Sequence, residues 1–206
     1  MTDWLEYYRI TSNRAPRDTL LQCLKLFKKE GEPNNKSAID LGFGSGNDTL
    51  ELLNNNWNVL AVDSEENASK FLLSRISNSH QEKLQIITSG FENVTYPKSS
   101  LINASYSLPF CKSENFKDFW SKLIESLVPG GRICGQLFGI EDQWNKENRE
   151  NTTFLSLEEF NKLFKGLELE FFKEVKEDGK TASGIDKFWH IFHFVAKKRS
   201  EEINQI

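Results

Sequence analysis

Ser37-Ala38-Ile39-Asp40-Leu41-Gly42-Phe43-Gly44-Ser45-Gly46-Asn47-Asp48, followed by Asn58-Val59-Leu60-Ala61-Val62-Asp63, decides the fold. The stretch reads as a buried strand, a glycine turn, the start of a helix and a second buried strand that ends in a carboxylate. Its glycines stand at 42, 44 and 46. A dinucleotide fingerprint would put the third glycine where Asn47 stands, so the spacing argues against a nicotinamide cofactor. Glycines so placed let the backbone pass tightly beneath a ligand, because no Cβ intervenes. The following helix presents unpaired N–H groups and a partial positive charge at its N-terminus. Asp63 ends the next strand, about 20 residues beyond the turn, where an acid suits a ribose diol.

Outward from this core, strands and helices alternate. Residues 37–41, 58–62, 84–88, 101–105 and 132–138 read as strands. Helices fall between them at 65–77 and 116–127, with a shorter one marked by Leu50, Leu52, Leu53 and Trp57. Another precedes the first strand, opened by Pro16-Arg17-Asp18 and ended by Gly31 and Pro33. Such alternation implies a mainly parallel sheet covered on both faces. Ser156-Leu157-Glu158-Glu159 looks like a capping box opening a helix to about 165. Residues 168–176 and 188–197 read as strands around the turn-rich Asp178-Gly179-Lys180, and a short connection forces them antiparallel. Residues 1–15 are aromatic and basic without clear periodicity, and 139–155 is polar with a lone Trp144. Switch-point logic places a ligand at the carboxyl ends of the first and fourth strands.

The 206 residues suit one domain, large enough for a sizeable core. A net charge of −4 and a pI near 5.5 lack the basic excess of a nucleic-acid binder. Cys23, Cys111 and Cys134 are widely spaced with no C-x-x-C, which fits reduced thiols in a cytoplasmic protein. The opening Met1-Thr2-Asp3-Trp4-Leu5-Glu6 is acidic and mixed, unlike a secretory signal, and no apolar run has membrane-spanning length.

Asp40-Leu41-Gly42-Phe43-Gly44-Ser45-Gly46 resembles the first motif of class I S-adenosylmethionine (SAM)-dependent methyltransferases, and Asp63 resembles their ribose-binding acid. Asn103-Ala104-Ser105-Tyr106-Ser107-Leu108-Pro109-Phe110 resembles the fourth-motif loop of the TehB-like, small-molecule group rather than the Asn-Pro-Pro-Tyr pattern. Tyr7-Tyr8 through Arg17 and Lys187 through Lys197 are similar to that group as well. The resemblance implies a single α/β domain over 1–206, with a Rossmann-like seven-stranded mixed sheet in the order 3-2-1-4-5-7-6. Its last strand is antiparallel, and helices cover both faces. Residues 1–30 would form an N-terminal lid and helix, 37–138 the cofactor-binding half, and 139–200 a substrate loop and C-terminal hairpin.

The same resemblance implies SAM as cofactor and S-adenosylhomocysteine as product. Asp40, Gly42, Phe43, Gly44, Gly46, Asp63 and Ser64 would line the cofactor, joined by Phe91, Glu92, Asn103 and Ser105. Asp40 either orients the turn or the methionine amino group, or is a buried structural acid. Relatives often place an acid directly after the third strand to hold adenine; here Ser89-Gly90 stands there. Either Glu92 reaches in, or Phe91 and backbone serve.

No motif marks a protein nucleophile, which fits transfer from an already activated sulfonium. Tyr8, Arg14, Tyr106 and His190 are the candidates for catalytic roles. An arginine in the N-terminal segment, Arg14 or Arg17, suits a carboxylate. His190 and His193, three apart on a strand, point to opposite faces and cannot share a metal ion. The expected acceptor is a small molecule, with neither nucleic acid nor membrane as partner. A non-catalytic SAM-binding module and a macromolecular acceptor stand as alternatives.

Overall fold

The structure is a computed structural model, and it describes residues 4–200. Met1, Thr2 and Asp3, on which the reading of the N-terminus partly rests, lie outside the described residues. Five strands form a parallel core: β1 (Ser37–Leu41), β2 (Asn58–Asp63), β3 (Leu84–Thr88), β4 (Ser99–Ala104) and β5 (Leu127–Gly139). A two-residue strand, β6 (Phe154–Leu155), pairs parallel with the end of β5. β7 (Leu167–Lys180) and β8 (Asp186–Lys198) form a long antiparallel hairpin, and β8 is also antiparallel to β5. The sheet order is β3-β2-β1-β4-β5-β8-β7, with β6 off this path. Leaving the small β6 out of the count, this is the expected 3-2-1-4-5-7-6 order with the last strand antiparallel.

Alternation along the strands sorts the core into two layers. Ala38, Val59, Ala61 and Leu101 face one side. There they meet Leu20, Leu24 and Phe27 of α2 (Asp18–Glu30), Leu52 and Leu53 of α3 (Asn47–Asn54), and Leu72 of α4 (Glu66–Leu73). Ile39, Leu60, Val62 and Ile102 face the other. Their partners include Phe116, Phe119, Trp120 and Leu123 of α6 (Ser113–Ser126) and Phe160 of α8 (Leu157–Leu163). This period-two division makes both faces apolar and explains why the strands read as continuous apolar runs. Burial of each large apolar side chain contributes roughly 1.5–3 kcal/mol.

Several elements differ from the sequence expectation. Trp4–Thr11 is a helix, α1, despite its weak periodicity. Tyr8 from α1 is buried and packs 5.9 Å from Phe71 of α4, so tertiary contact outweighs the modest helix preference of its aromatic residues. The expected 65–77 helix stops at Leu73, and α5 (Asn78–Gln81) follows. β5 runs through Pro129-Gly130-Gly131, where Gly130 takes φ +76° and the pairing with β4 shifts register. The hairpin turn is Thr181–Ile185 and not Asp178–Lys180: Thr181 donates its N–H to the Ile185 carbonyl at 2.8 Å. The polar 139–155 segment contains α7 (Gln143–Lys146) and β6. The capping box is present, with Ser156 and Glu159 satisfying each other's backbone N–H groups.

No helix among the described residues is long and apolar enough to cross a membrane. The three cysteines are free and buried.

Candidate active site

A cleft of about 360 Å³ opens at the carboxyl ends of β1, β2 and β4, roofed by the N-terminal segment. Its floor is the glycine turn. Gly42, Gly44 and Gly46 take φ +63°, +52° and +80°, a left-handed run that L side chains rarely adopt. A Cβ on Gly42 would lie 2.6 Å from Cβ of Ser107. At Gly44 the nearest atom to such a Cβ is the Gly42 carbonyl oxygen at 4.0 Å, so the backbone there faces open space. Gly46 is the N-cap of α3 and gives that helix no side-chain cap.

Asp63 is buried at the end of β2. Its Oδ2 accepts the Gly44 N–H at 2.9 Å, and its Oδ1 accepts the Glu65 N–H at 3.0 Å. These bonds, with a weaker pull from the Ser64 N–H, fix the carboxylate against the turn and leave part of its acceptor capacity, roughly four sites, open. Burial raises its pKa, against the pull of these backbone donors.

Beneath the turn lies a buried acidic pair. The Asn103 amide donates to Asp40 Oδ1 at 2.8 Å and to Asp48 Oδ2 at 2.9 Å, so one NH₂ group bridges both carboxylates. Thr49 donates to the other Asp40 oxygen at 2.5 Å, and the Arg17 backbone N–H donates to Asp48 Oδ1 at 2.8 Å. Burial, and then the charge of Asp48, push the Asp40 pKa up to about 7. A carboxyl group raised in the folded state binds its proton more tightly there than in the unfolded chain. Its contribution to stability is therefore complete below the ordinary value of 3.8 and is lost as pH rises through about 7. The expected result is that wild-type stability falls relative to Asp40→Asn across this window. Urea midpoints of the two proteins measured from pH 4 to pH 8 check it; parallel profiles would refute the assignment.

The N-terminal segment is pinned over the turn by three contacts. Asn47 Nδ2 donates to the Thr11 carbonyl at 2.8 Å. Arg75 donates to the Ser12 carbonyl at 3.0 Å and also to the Ser45 carbonyl. The third is the Arg17–Asp48 bond. Tyr8, Arg14 and Arg17 consequently reach the cleft. Arg17 lies over the Tyr106 ring at 4.6 Å. Tyr106 itself has a left-handed backbone, φ +55°, held by its N–H donating to Gln136 Oε1 at 2.9 Å. Burial raises the phenol pKa of both Tyr8 and Tyr106.

The cleft gathers Asp40, Gly42, Phe43, Gly44, Asp63, Ser64, Phe91 and Ser105 of the residues expected from sequence, together with Tyr8, Arg14 and Tyr106. Gly46 stands at its edge, packed on Leu72. Phe91 is stacked on Phe119, with centroids 5.6 Å apart. Three expected residues are placed elsewhere. Glu92 lines a separate depression with Asn93, Tyr96 and Lys122, because the 3-10 turn at Phe91–Asn93 carries it away from the cleft. Asn103 is fully buried and acts on the acidic pair from below. His190 is a sheet residue: its Nδ1 accepts the Glu141 N–H at 3.1 Å, Nε2 lies 2.9 Å from Glu174, and its ring packs where a Cβ on Gly139 would stand. With Nδ1 accepting, Nε2 carries the proton of the neutral ring and donates to Glu174. Among the described residues no cluster of three or more His, Cys, Asp or Glu could hold a metal.

Asp48, Phe110 and Arg149 also line the cleft and were not among the expected residues. Asp48 had a local signal, an acid in the first turn of the helix after the glycines. Arg149 had none, since only the fold brings the 139–155 segment to this edge. Asp142 and Trp144, from the same segment, do not line the cleft. Asp142 caps α7 by accepting the Trp144 N–H at 3.0 Å and is paired with buried Lys187 at 2.6 Å. Lys187 Nζ sits 3.3 Å from the centroid of the Trp189 ring and 4.1 Å from that of Trp144.

Known proteins agree with this architecture. Residues 39–135, just under half of the chain, match a family model described as a methyltransferase domain. A comparison with curated proteins finds no match. Among solved structures, the chain is similar to TehB from Haemophilus influenzae, with a TM-score of 0.68 at 15% identity over 86% of this chain. The chain spans only 62% of that protein's length. It is similar also to the Burkholderia thailandensis 1,6-didemethyltoxoflavin N1-methyltransferase, solved with its acceptor and S-adenosylhomocysteine (TM-score 0.66, 15% identity, 96% of this chain and 86% of that one). A SAM-dependent methyltransferase from Methanosarcina mazei gives a TM-score of 0.63 at 15% identity, covering 85% of this chain and 98% of that one. By sequence, residues 39–135 match a methyltransferase domain, and most of the chain takes the fold of class I S-adenosylmethionine-dependent methyltransferases.

Proposed function

We propose that the chain binds SAM in this cleft and transfers its methyl group to a small-molecule acceptor. The observation that carries the reading is the left-handed glycine turn tied to Asp63 through the Gly44 N–H. The donor set fits the cofactor. Open space over Gly44 admits a ligand close to backbone, Asp63 keeps lone pairs for ribose hydroxyls, and Phe91 offers an aromatic surface for adenine. The Asp40–Asp48 pair suits an ammonium group, and Arg14 or Arg17 suits the methionine carboxylate. Ser107 lines the cleft with an Oγ that has no partner among the described residues, a polar group left for a ligand or water.

When bound, SAM would supply a methyl group already activated as a sulfonium for direct displacement by the acceptor's nucleophilic atom, with S-adenosylhomocysteine as the leaving group. The chain's own residues orient and exclude water. The α1 segment closes over the turn through Asn47 and Arg75, and the tyrosines at 7, 8 and 106 narrow the opening. The cleft volume falls within the roughly 300–1,000 Å³ of small-molecule sites, which supports a small acceptor over a macromolecular one. The free buried thiols fit a cytoplasmic setting. The test is S-adenosylhomocysteine release from SAM across a panel of oxygen, nitrogen and thiol acceptors. Release with at least one acceptor is expected; tight SAM binding with none across the panel would favour a non-catalytic module.

A further inference from the structure

Three arginines reach the cleft: Arg14 and Arg17 from the N-terminal segment, and Arg149 from the segment after β5. No lysine lines it. None of the three has an ion-pair partner among the described residues, whereas Arg132, deep in the sheet, is engaged by both Glu30 and Glu170. On the reading above, the methionine carboxylate occupies a guanidinium on the N-terminal side. That leaves the second N-terminal arginine and Arg149 without an anion, and of these Arg149 stands on a different element, beside the loop after β4.

Arg149 is held ready for one. Its Cζ lies 3.7 Å from the Trp144 ring centroid, and its backbone N–H donates to the Trp144 carbonyl at 3.0 Å. Trp144 is fixed in turn by edge contacts to Phe138 and Trp189, with centroids 5.8 and 5.4 Å away. A guanidinium held over an indole face keeps the N–H donors at the edge of its own plane free, and these match a carboxylate two at a time. Of the two acids whose charge acts on Arg149, Asp142 is already taken by Lys187, and Glu147 makes no ion pair with the arginine. Next to Arg149, Phe110 lines the cleft with 42% of its surface exposed, an apolar surface with no protein cover.

We infer that the methyl acceptor is a small organic carboxylate, its carboxylate gripped by Arg149 and its apolar body laid against Phe110 and Tyr106. This rests on the SAM reading and deepens it to a substrate class. Methyl transfer then occurs at another atom of the acceptor, while the carboxylate serves as the handle that sets the acceptor's position.

The test uses the full chain saturated with S-adenosylhomocysteine. A panel of aryl and alkyl monocarboxylates, beginning with phenylacetate, is titrated beside the matching neutral amides, with sulfate as an anion control. The readouts are the thermal midpoint and calorimetric affinity. Carboxylates are expected to bind at least about tenfold tighter than their amides, a difference lost in Arg149→Gln and kept in Lys165→Gln, an exposed charge-loss control. A midpoint shift with S-adenosylhomocysteine but no carboxylate preference anywhere in the panel overturns the inference and leaves the SAM reading intact. So does an equal response to sulfate, or a preference that survives in Arg149→Gln. No shift with S-adenosylhomocysteine itself overturns the reading beneath it.

Discussion

Replacing Asp63 by alanine is expected to weaken SAM binding by about a hundredfold or more. Two hydrogen bonds from ribose hydroxyls to a carboxylate are each worth roughly 1.5–3 kcal/mol when the site is sheltered from water. The loss has a second source. Asp63 accepts the N–H groups of Gly44 and Glu65, so its removal also frees the glycine turn that forms the cleft floor. Orphaning those donors costs about 1–3 kcal/mol of stability in the absence of ligand. Asp63→Asn separates the two effects, because an amide oxygen still accepts one of the backbone bonds but offers ribose a weaker, uncharged acceptor. Calorimetric titration of SAM into wild type and both variants, beside unliganded urea midpoints, measures each part. A SAM affinity within about twofold of wild type in Asp63→Ala would remove the carboxylate from the cofactor site.

The second large effect concerns a pair far from the glycine turn. Asp142→Ala is expected to destabilise the protein by roughly 3–5 kcal/mol, the range for stranding one partner of a buried ion pair. Lys187 Nζ would then lie among Trp144, Trp189 and Phe138 with no counter-charge, and α7 would lose its cap. Burial already holds the Lys187 pKa below its ordinary 10.5 even with Asp142 present. Without that partner the folded state binds the lysine proton more weakly than the unfolded chain does. The variant's stability deficit therefore shrinks as pH rises toward the ordinary lysine value. Replacing both residues with apolar side chains, as in Asp142→Leu with Lys187→Met, is expected to recover much of the loss. Urea midpoints at pH 7 and pH 9 test all three statements; a deficit under about 1 kcal/mol in Asp142→Ala would contradict the burial described here. The pair also bears on the cleft, since Asp142 fixes Trp144 and Trp144 carries Arg149.

What could be read from the sequence divides by the range of the interaction. The glycine spacing, the acid ending β2 and the capping box at Ser156–Glu159 are local patterns, each set within a few residues, and the structure has them where the pattern put them. Strand–helix alternation implied a mainly parallel sheet, and the family resemblance alone implied its order. Helix α1 was illegible because its aromatic sequence has little helical preference of its own; burial of Tyr8 against Phe71 decides it. Asp142 stands in a segment that reads only as polar, and its partner Lys187 lies 45 residues away, so only the antiparallel β8 brings the two together. Arg149 escaped notice for the same reason. Glu92 and His190 show the converse, since chemistry suited to a site does not place a side chain there. A 3-10 turn rotates Glu92 off the cleft, and sheet pairing commits His190 to Glu141 and Glu174.

The most direct test of the central claim is a thermal-shift titration of the wild-type chain with SAM and S-adenosylhomocysteine, with NAD as the control nucleotide. A ligand that binds only the folded state raises the midpoint, and above its Kd the rise continues with the logarithm of its concentration. The account predicts a concentration-dependent rise with both SAM and S-adenosylhomocysteine and none with NAD. A rise with NAD alone, or no rise with any of the three, would contradict it.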